Sequence, residues 1–192
     1  MADRVSRRAL LGTGGMLLAS PAMAITLPLT PSNEVGPFYR RNAPDDPVLR
    51  RPGDPGLPLE LSGRVLDPDG QPIGGARVEV WQADHAGHYD VAGNRFRATL
   101  VSGADGVYRV STVMPGHYPG RVCQHIHFIV HADGRDTLVT QLYFASDPVF
   151  EGDPAANFRR DPRIGDAALV RPVELKESGA SSVALCRFDL VV

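Results

Sequence analysis

In the run Gln124-His-Ile-His-Phe-Ile-Val130, His125 and His127 stand two positions apart among apolar neighbours. Alternate side chains of a β-strand leave the same face, so both imidazoles point one way while Ile126, Phe128 and Val130 point the other. The apolar side would pack into a core and hold the strand rigid beneath the pair. Two tyrosines are close enough to join them. Tyr118, in Pro115-Gly-His-Tyr-Pro119, precedes His125 in a short proline-bounded loop that can fold back over the strand end. Tyr89 closes the segment Trp81-Gln-Ala-Asp-His-Ala-Gly-His-Tyr89. A His-x-His pair by itself also suits a satisfied surface pair, and a tyrosine beside glycine also suits packing. The combination has its own chemistry, however. A phenol with an ordinary pKa of about 10 ionises at neutral pH only when a cation stabilises the anion. Two phenolates and two neutral imidazoles leave a ferric ion with a small net charge, and hard anionic oxygens favour Fe(III) over Fe(II).

Positioning such groups needs a stiff scaffold, and the chain supplies short β-type runs from residue 59 onward. They cover 59–66, 76–83, 96–102, 107–113, 125–131, 138–144 and 183–192. Turn signals separate them, among them Asp67-Pro-Asp-Gly70, Gly74-Gly75, Ala104-Asp-Gly106 and Ala132-Asp-Gly134. No helix of usual length is expected. The pattern predicts an all-β fold, a single antiparallel β-sandwich, with long loops at 84–95 and 115–124 where function should sit. Residues 25–58 are proline-rich and without period, so they read as an extended arm on the domain, with one apolar knot at Gly36-Pro-Phe-Tyr39. Trp81 is expected to pack in the core.

The N-terminus reads as a removable address. Ser6-Arg7-Arg8 precedes an apolar run that closes on Ala22-Met23-Ala24, the pattern of a twin-arginine signal peptide spanning 1–24. The run is too short and glycine-rich for a stable membrane anchor. Export to the periplasm or exterior follows as an expectation, with cleavage after Ala24. Losing three arginines and one aspartate takes the formal charge from −2 to −4, which argues against a nucleic-acid surface. Cys123 and Cys186 could form one disulfide or stay separate thiols.

The first half resembles a prealbumin-like sandwich, a scaffold shared with many non-enzymatic binding modules. From Gly36 to the C-terminus, nearly the whole mature chain, the sequence resembles the intradiol ring-cleavage dioxygenases, nearest in type to the β subunit of the protocatechuate enzyme. The residues carrying this are Gly36-Pro-Phe-Tyr39, Val78-Glu-Val-Trp-Gln-Ala83 with Gly87-His-Tyr89, Pro115-Gly-His-Tyr-Pro119, His125-Ile-His-Phe128, Thr140-Gln-Leu-Tyr-Phe144 with Asp147-Pro148, and Cys186-Arg-Phe-Asp-Leu190. The resemblance implies one Fe(III) per chain held by Tyr89, Tyr118, His125 and His127, with Tyr118 the ligand that leaves when substrate binds. It implies catalytic roles for Tyr118, Arg121 and Gln141, and substrate contacts from Gly36, Pro37, Tyr39 and Gln141. The implied reaction is cleavage of a catechol-type diol by O2 to a muconate-type diacid. A homo-oligomer or a partner subunit is compatible with the family.

One departure stands out. The family's usual arginine position, three residues before the first histidine, holds Val122, and Arg121 stands one residue earlier. Either the loop bulges so that Arg121 still reaches the site, or the charge is displaced. Cys123 reads as a filler residue there, with a ligand or redox role as the other reading. Two rival functions are a cupin-like metal enzyme, which would need a nearby glutamate and a later histidine such as His131, and a non-enzymatic sandwich module.

Overall fold

The structure is a computed structural model that describes residues 26–192 apart from Ala180. The leader expected at 1–24 lies outside the described residues. Ten strands follow in order: β1 (Pro58–Leu66), β2 (Arg77–Trp81), β3 (Arg97–Val101), β4 (Val107–Val113), β5 (His125–His131), β6 (Leu138–Phe144), β7 (Val170–Arg171), β8 (Val173–Ser178), β9 (Ser181–Arg187) and β10 (Leu190–Val191). The one α-helix among the described residues, α1 (Pro154–Asn157), is a single turn capped by the Asp153 carboxylate.

The strands form two five-stranded sheets that share one core. In the first, β1 pairs antiparallel with β4 and parallel with β9 and β10, and β8 pairs antiparallel with β9. The second has the order β3-β2-β5-β6-β7, antiparallel except at the β6–β7 edge. The expected sandwich is present, but its sheets are mixed rather than wholly antiparallel. A parallel pairing needs a long connection: the segment with α1 and its flanking 3-10 turns provides it between β6 and β7, and β9 and β10 return to β1 from the far end of the chain. The run expected at 183–192 is split at Phe188–Asp189 into β9 and β10. β7 and β8, interrupted by Pro172 and rich in charge, carry too little apolar alternation to be read in advance.

Inward positions alternate as period two demands. Leu59 and Leu61 of β1, Val110 of β4, Val78 and Val80 of β2, and Ile126, Phe128 and Val130 of β5 are all buried between the sheets. The Phe128 ring meets Tyr108 at 6.1 Å and Phe188 at 5.5 Å, which ties the two sheets together beneath the histidine strand. Burying such a side chain contributes about 1.5–3 kcal/mol. Cys123 and Cys186 are separate buried thiols.

The opposite face of β5 is covered too. His125 and His127 are 2% and 1% exposed although they point away from the sandwich core. Their cover is the N-terminal arm, fastened along β6: the Asn33 N–H donates to the Val139 carbonyl, the Thr140 hydroxyl to the Pro31 carbonyl, and the Gln141 amide to the Glu34 carbonyl. A polar strand face thereby becomes a buried floor beneath the arm.

Candidate metal centre

Cross-strand register lines up the floor. Trp81 lies opposite Arg97 on one side and His127 on the other, and His127 lies opposite Gln141. One rung of the second sheet therefore reads Arg97, Trp81, His127, Gln141, all on the arm-covered face. On β5 and β6, His125 and Tyr143 form the next outward pair. Trp81 is thus buried by the arm and not by the sandwich core, correcting the expectation. Its indole stacks on the His127 imidazole at 4.8 Å and 5°.

The two long loops bring the phenols over this floor. Tyr89 Oη lies 3.3 Å from His125 Nε2 and 3.1 Å from His127 Nε2, and Tyr118 Oη lies 3.4 Å from His125 Nε2. Bonds from nitrogen or oxygen ligands to a first-row metal are about 2.0–2.2 Å. Donor atoms sharing one such ion must stand about 3 Å apart, which is the spacing found here. The four predicted ligands converge, and they suit one ion. Among the described residues no three His, Cys, Asp or Glu side chains gather as a metal site, so the phenols are needed to complete the set.

Protonation favours binding from the histidine side. His125 Nδ1 faces the Cys123 carbonyl at 2.9 Å; a carbonyl only accepts, so Nδ1 carries the hydrogen and Nε2 presents its lone pair to the phenols. Burial, with the Arg121 charge nearby, pushes His125 down to about 4. Burial, then His125 and Arg121, hold His127 well below the usual histidine value; the Glu34 backbone opposes this shift without closing a hydrogen bond to Nδ1. Both imidazoles are therefore neutral at pH 7. Burial and the neighbouring Tyr118 raise Tyr89 instead, so its ionisation requires a cation.

Arg121 reaches the site, and the turn explains how. Tyr118-Pro119-Gly120-Arg121 has proline followed by glycine at φ +87°, with the Arg121 N–H donating to the Tyr118 carbonyl at 3.1 Å. This is the type II turn that Pro-Gly encodes. It reverses the chain directly after Tyr118, leaves Val122 outside and swings Arg121 inward. One guanidinium nitrogen donates to Gln141 Oε1 at 2.8 Å and to the Tyr143 hydroxyl at 3.0 Å. Gln141 is accordingly a bracket between Arg121 and the arm carbonyl of Glu34. The Asp147 carboxylate fastens both ends of the Tyr118 loop, accepting from the Gln124 N–H at 2.8 Å and contacting His117 Nε2 at 2.9 Å.

The arm residues divide. Gly36, at φ +72°, sits directly on His127, where an added Cβ would lie 3.0 Å from its Cε1. Pro37 is exposed at the rim. Phe38, which the sequence did not single out as a site residue, stacks on Tyr89 at 4.2 Å and meets Tyr118 edge-on at 6.1 Å. Tyr39 is the exception among the expected substrate contacts. Its hydroxyl donates to Glu79 Oε2 at 2.8 Å and its ring packs on Trp81, so it supports the floor one ring away from the donors. His131 likewise faces Glu79, at 3.2 Å, and takes no part in the cluster. Cys123 serves as a buried filler whose carbonyl, not its thiol, meets the site.

Fold and donor set together describe a β-sandwich whose arm-covered sheet face gathers two phenols and two imidazoles at a spacing that suits one metal ion. Residues 35–192 match a family profile described as Dioxygenase. The hydroxyquinol 1,2-dioxygenase of Rhodococcus opacus is 34% identical over 190 residues, covering 85% of this chain and 63% of that protein. The protocatechuate 3,4-dioxygenase beta chain of Burkholderia cepacia is 33% identical over 158 residues, covering 73% of this chain and 66% of its own length. The dioxygenase domain of a dioxygenase and carbohydrate-binding protein fusion from Streptomyces sp. SirexAA-E superposes with a TM-score of 0.71 at 34% identity, covering 86% of this chain and 98% of that domain. The chain belongs to the intradiol ring-cleavage dioxygenase family. It spans between half and two thirds of the length of the first curated relatives it matches.

Proposed function

We propose that the chain binds one Fe(III) through Tyr89, Tyr118, His125 and His127 and cleaves a catechol-type diol with O2, between its hydroxyl-bearing carbons, to a muconate-type diacid. The observation that carries this reading is the convergence of two phenol oxygens and two imidazole nitrogens at metal-ligand spacing. Bound there, a ferric ion supplies Lewis acidity and a template that chelates both oxygens of the diol.

The protein's own groups have separable tasks. His125 and His127 stay in place, one tied to the Cys123 carbonyl and the other held between Trp81 and Gly36. Tyr118 sits on a turn at the rim and can withdraw with a proton taken from a diol hydroxyl at its Oη. Tyr89 is stacked under Phe38 and remains. Arg121 lends a fixed positive charge to the electron-rich ring, oriented by Gln141 and Tyr143. Phe38 and Pro37 limit the mouth and so help choose among ring substituents. Export in the folded state, from the Arg7-Arg8 leader, would carry the loaded centre across the membrane intact.

The test is oxygen uptake by iron-loaded protein offered catechol, hydroxyquinol and protocatechuate, with product identification. One of the three should consume one O2 per ring and yield the ring-opened diacid. Cleavage outside the two hydroxyl-bearing carbons, or no turnover of any diol by protein with full iron, would sink the reading. Fractionation of the native host tests export: a cytoplasmic protein with its leader retained would contradict it.

A further inference from the structure

We infer that Arg97 is a positioning residue of the metal centre, bracing Tyr89 and Phe38 from the far end of the sheet rung that carries His127. The inference rests on the reading of Tyr89 as a ligand. Arg97 is 2% exposed and begins β3 on the same outward face as Trp81 and His127. Its guanidinium is forked between two segments distant in sequence. One terminal nitrogen donates to the Phe38 carbonyl at 2.6 Å and the other to the Asp90 carbonyl at 3.0 Å. Phe38 is the ring stacked on Tyr89, and Asp90 is the residue that follows Tyr89. The same side chain therefore holds the backbone directly after the phenol and the backbone of the residue whose ring lies against the phenol's face.

Three features describe how Arg97 is held. It makes no ion pair with a carboxylate among the described residues, so both of its fixed partners are neutral carbonyls. Its Nε is buried and makes no hydrogen bond to protein among the described residues, as is also true of Arg121 Nε. The residue before it, Phe96, adopts φ +54°, a conformation that costs a bulky side chain about 1–3 kcal/mol. That left-handed step sends Arg95 outward to Asp54 and Leu49 and Arg97 inward to the arm. Strain at Phe96 and desolvation at Arg97 are both unfavourable, and a brace across the ligand loop is what they obtain. Arg40 crosses the same gap at the surface, donating to the Val91 and Gly93 carbonyls.

The test compares Arg97→Met and Arg97→Lys with wild type. A fork that spans two carbonyls cannot be replaced by a single ammonium, so lysine should recover only part of the effect. In metal-free protein, Arg97→Met is expected to raise amide exchange at Ala92, Gly93 and Arg95, and trypsin cleavage after Arg40 or Arg41, by about tenfold, with β5 exchange unchanged. Iron affinity per folded molecule should fall about 10–100-fold, as for other groups that orient a ligand. Unchanged exchange and cleavage at both segments would overturn the brace. Loosened segments with wild-type iron affinity and visible spectrum would overturn its link to Tyr89. If Arg97→Met does not fold, Arg97→Lys carries the same comparison. Wild-type protein that takes up no iron would sink the ring-cleavage reading, and the metal-free measurements would still decide whether the brace exists.

Discussion

Gly36→Ala tests how tightly the arm defines the centre. The added methyl carbon would stand 3.0 Å from His127 Cε1 and 3.7 Å from Nε2, closer than a side-chain carbon normally approaches a ring. The imidazole has little room to retreat, because Trp81 stacks on it at 4.8 Å, and the arm that carries Gly36 is fastened through Glu34. The positive φ of 72° adds a backbone cost for alanine of about 1 kcal/mol. Some of this is relieved by moving the arm and some by tilting His127, so the metal-bound state should lose about 1.5–3 kcal/mol. At 1.4 kcal/mol per decade, that is roughly a 10–100-fold weaker hold on iron. Competition against a ferric chelator reads the affinity, and thermal unfolding of the metal-free protein separates it from general destabilisation. Iron affinity within twofold of wild type, with unchanged stability, would refute the placement of Gly36 on His127.

Three further outcomes follow from the same geometry. Tyr118→Phe should keep near-stoichiometric iron, because three donors remain, while turnover falls at least 100-fold with loss of a departing ligand and base; full turnover in steady-state assays would contradict that role. Arg121→Leu should lower kcat by about 100-fold, in the range for a lost electrostatic stabiliser, with a folding cost near 1 kcal/mol because Tyr143 still donates to Gln141; wild-type kcat would count against it. Asp54 is held below its ordinary value of 3.8 by the Arg51 N–H and then by the Arg95 guanidinium. A lowered folded-state pKa gives stability that is complete above about pH 4 and is lost as pH falls through the lowered value. Asp54→Asn should therefore be less stable than wild type at pH 7 by up to about 1 kcal/mol, with the gap closing in acid; a gap that widens in acid unfolding curves would reverse the sign.

Much of the centre was legible because it depends on local rules. The alternation through 125–131 placed both histidines on one face and three apolar residues on the other, and the proline-bounded loop put Tyr118 within reach. What stayed hidden depends on register and on contacts far apart in sequence. Nothing local says that Trp81 faces His127 and Arg97 across neighbouring strands, so the tryptophan reads as a core residue and Arg97 carries no signal of its place. The Pro119-Gly120 pair did encode the turn that brings Arg121 inward, and its offset from the family position could have been resolved from that signal. The turn of Tyr39 toward Glu79 and Trp81 is not readable in advance, because the arm has no periodicity to set its facing. The parallel pairing of β7 with β6 follows a crossover whose short helical turns carry no amphipathic pattern, and those of β9 and β10 with β1 join the two ends of the domain.

The most direct measurement is the visible spectrum of the protein titrated with ferric iron, alongside Tyr89→Phe and Tyr118→Phe. Phenolate bound to Fe(III) absorbs visible light by charge transfer, so the wild type should develop a broad band that saturates at one iron per chain, and each single variant should shift or weaken it. Stoichiometric iron in a colourless wild-type protein, or a band indifferent to both substitutions, would mean that these phenols do not hold the metal.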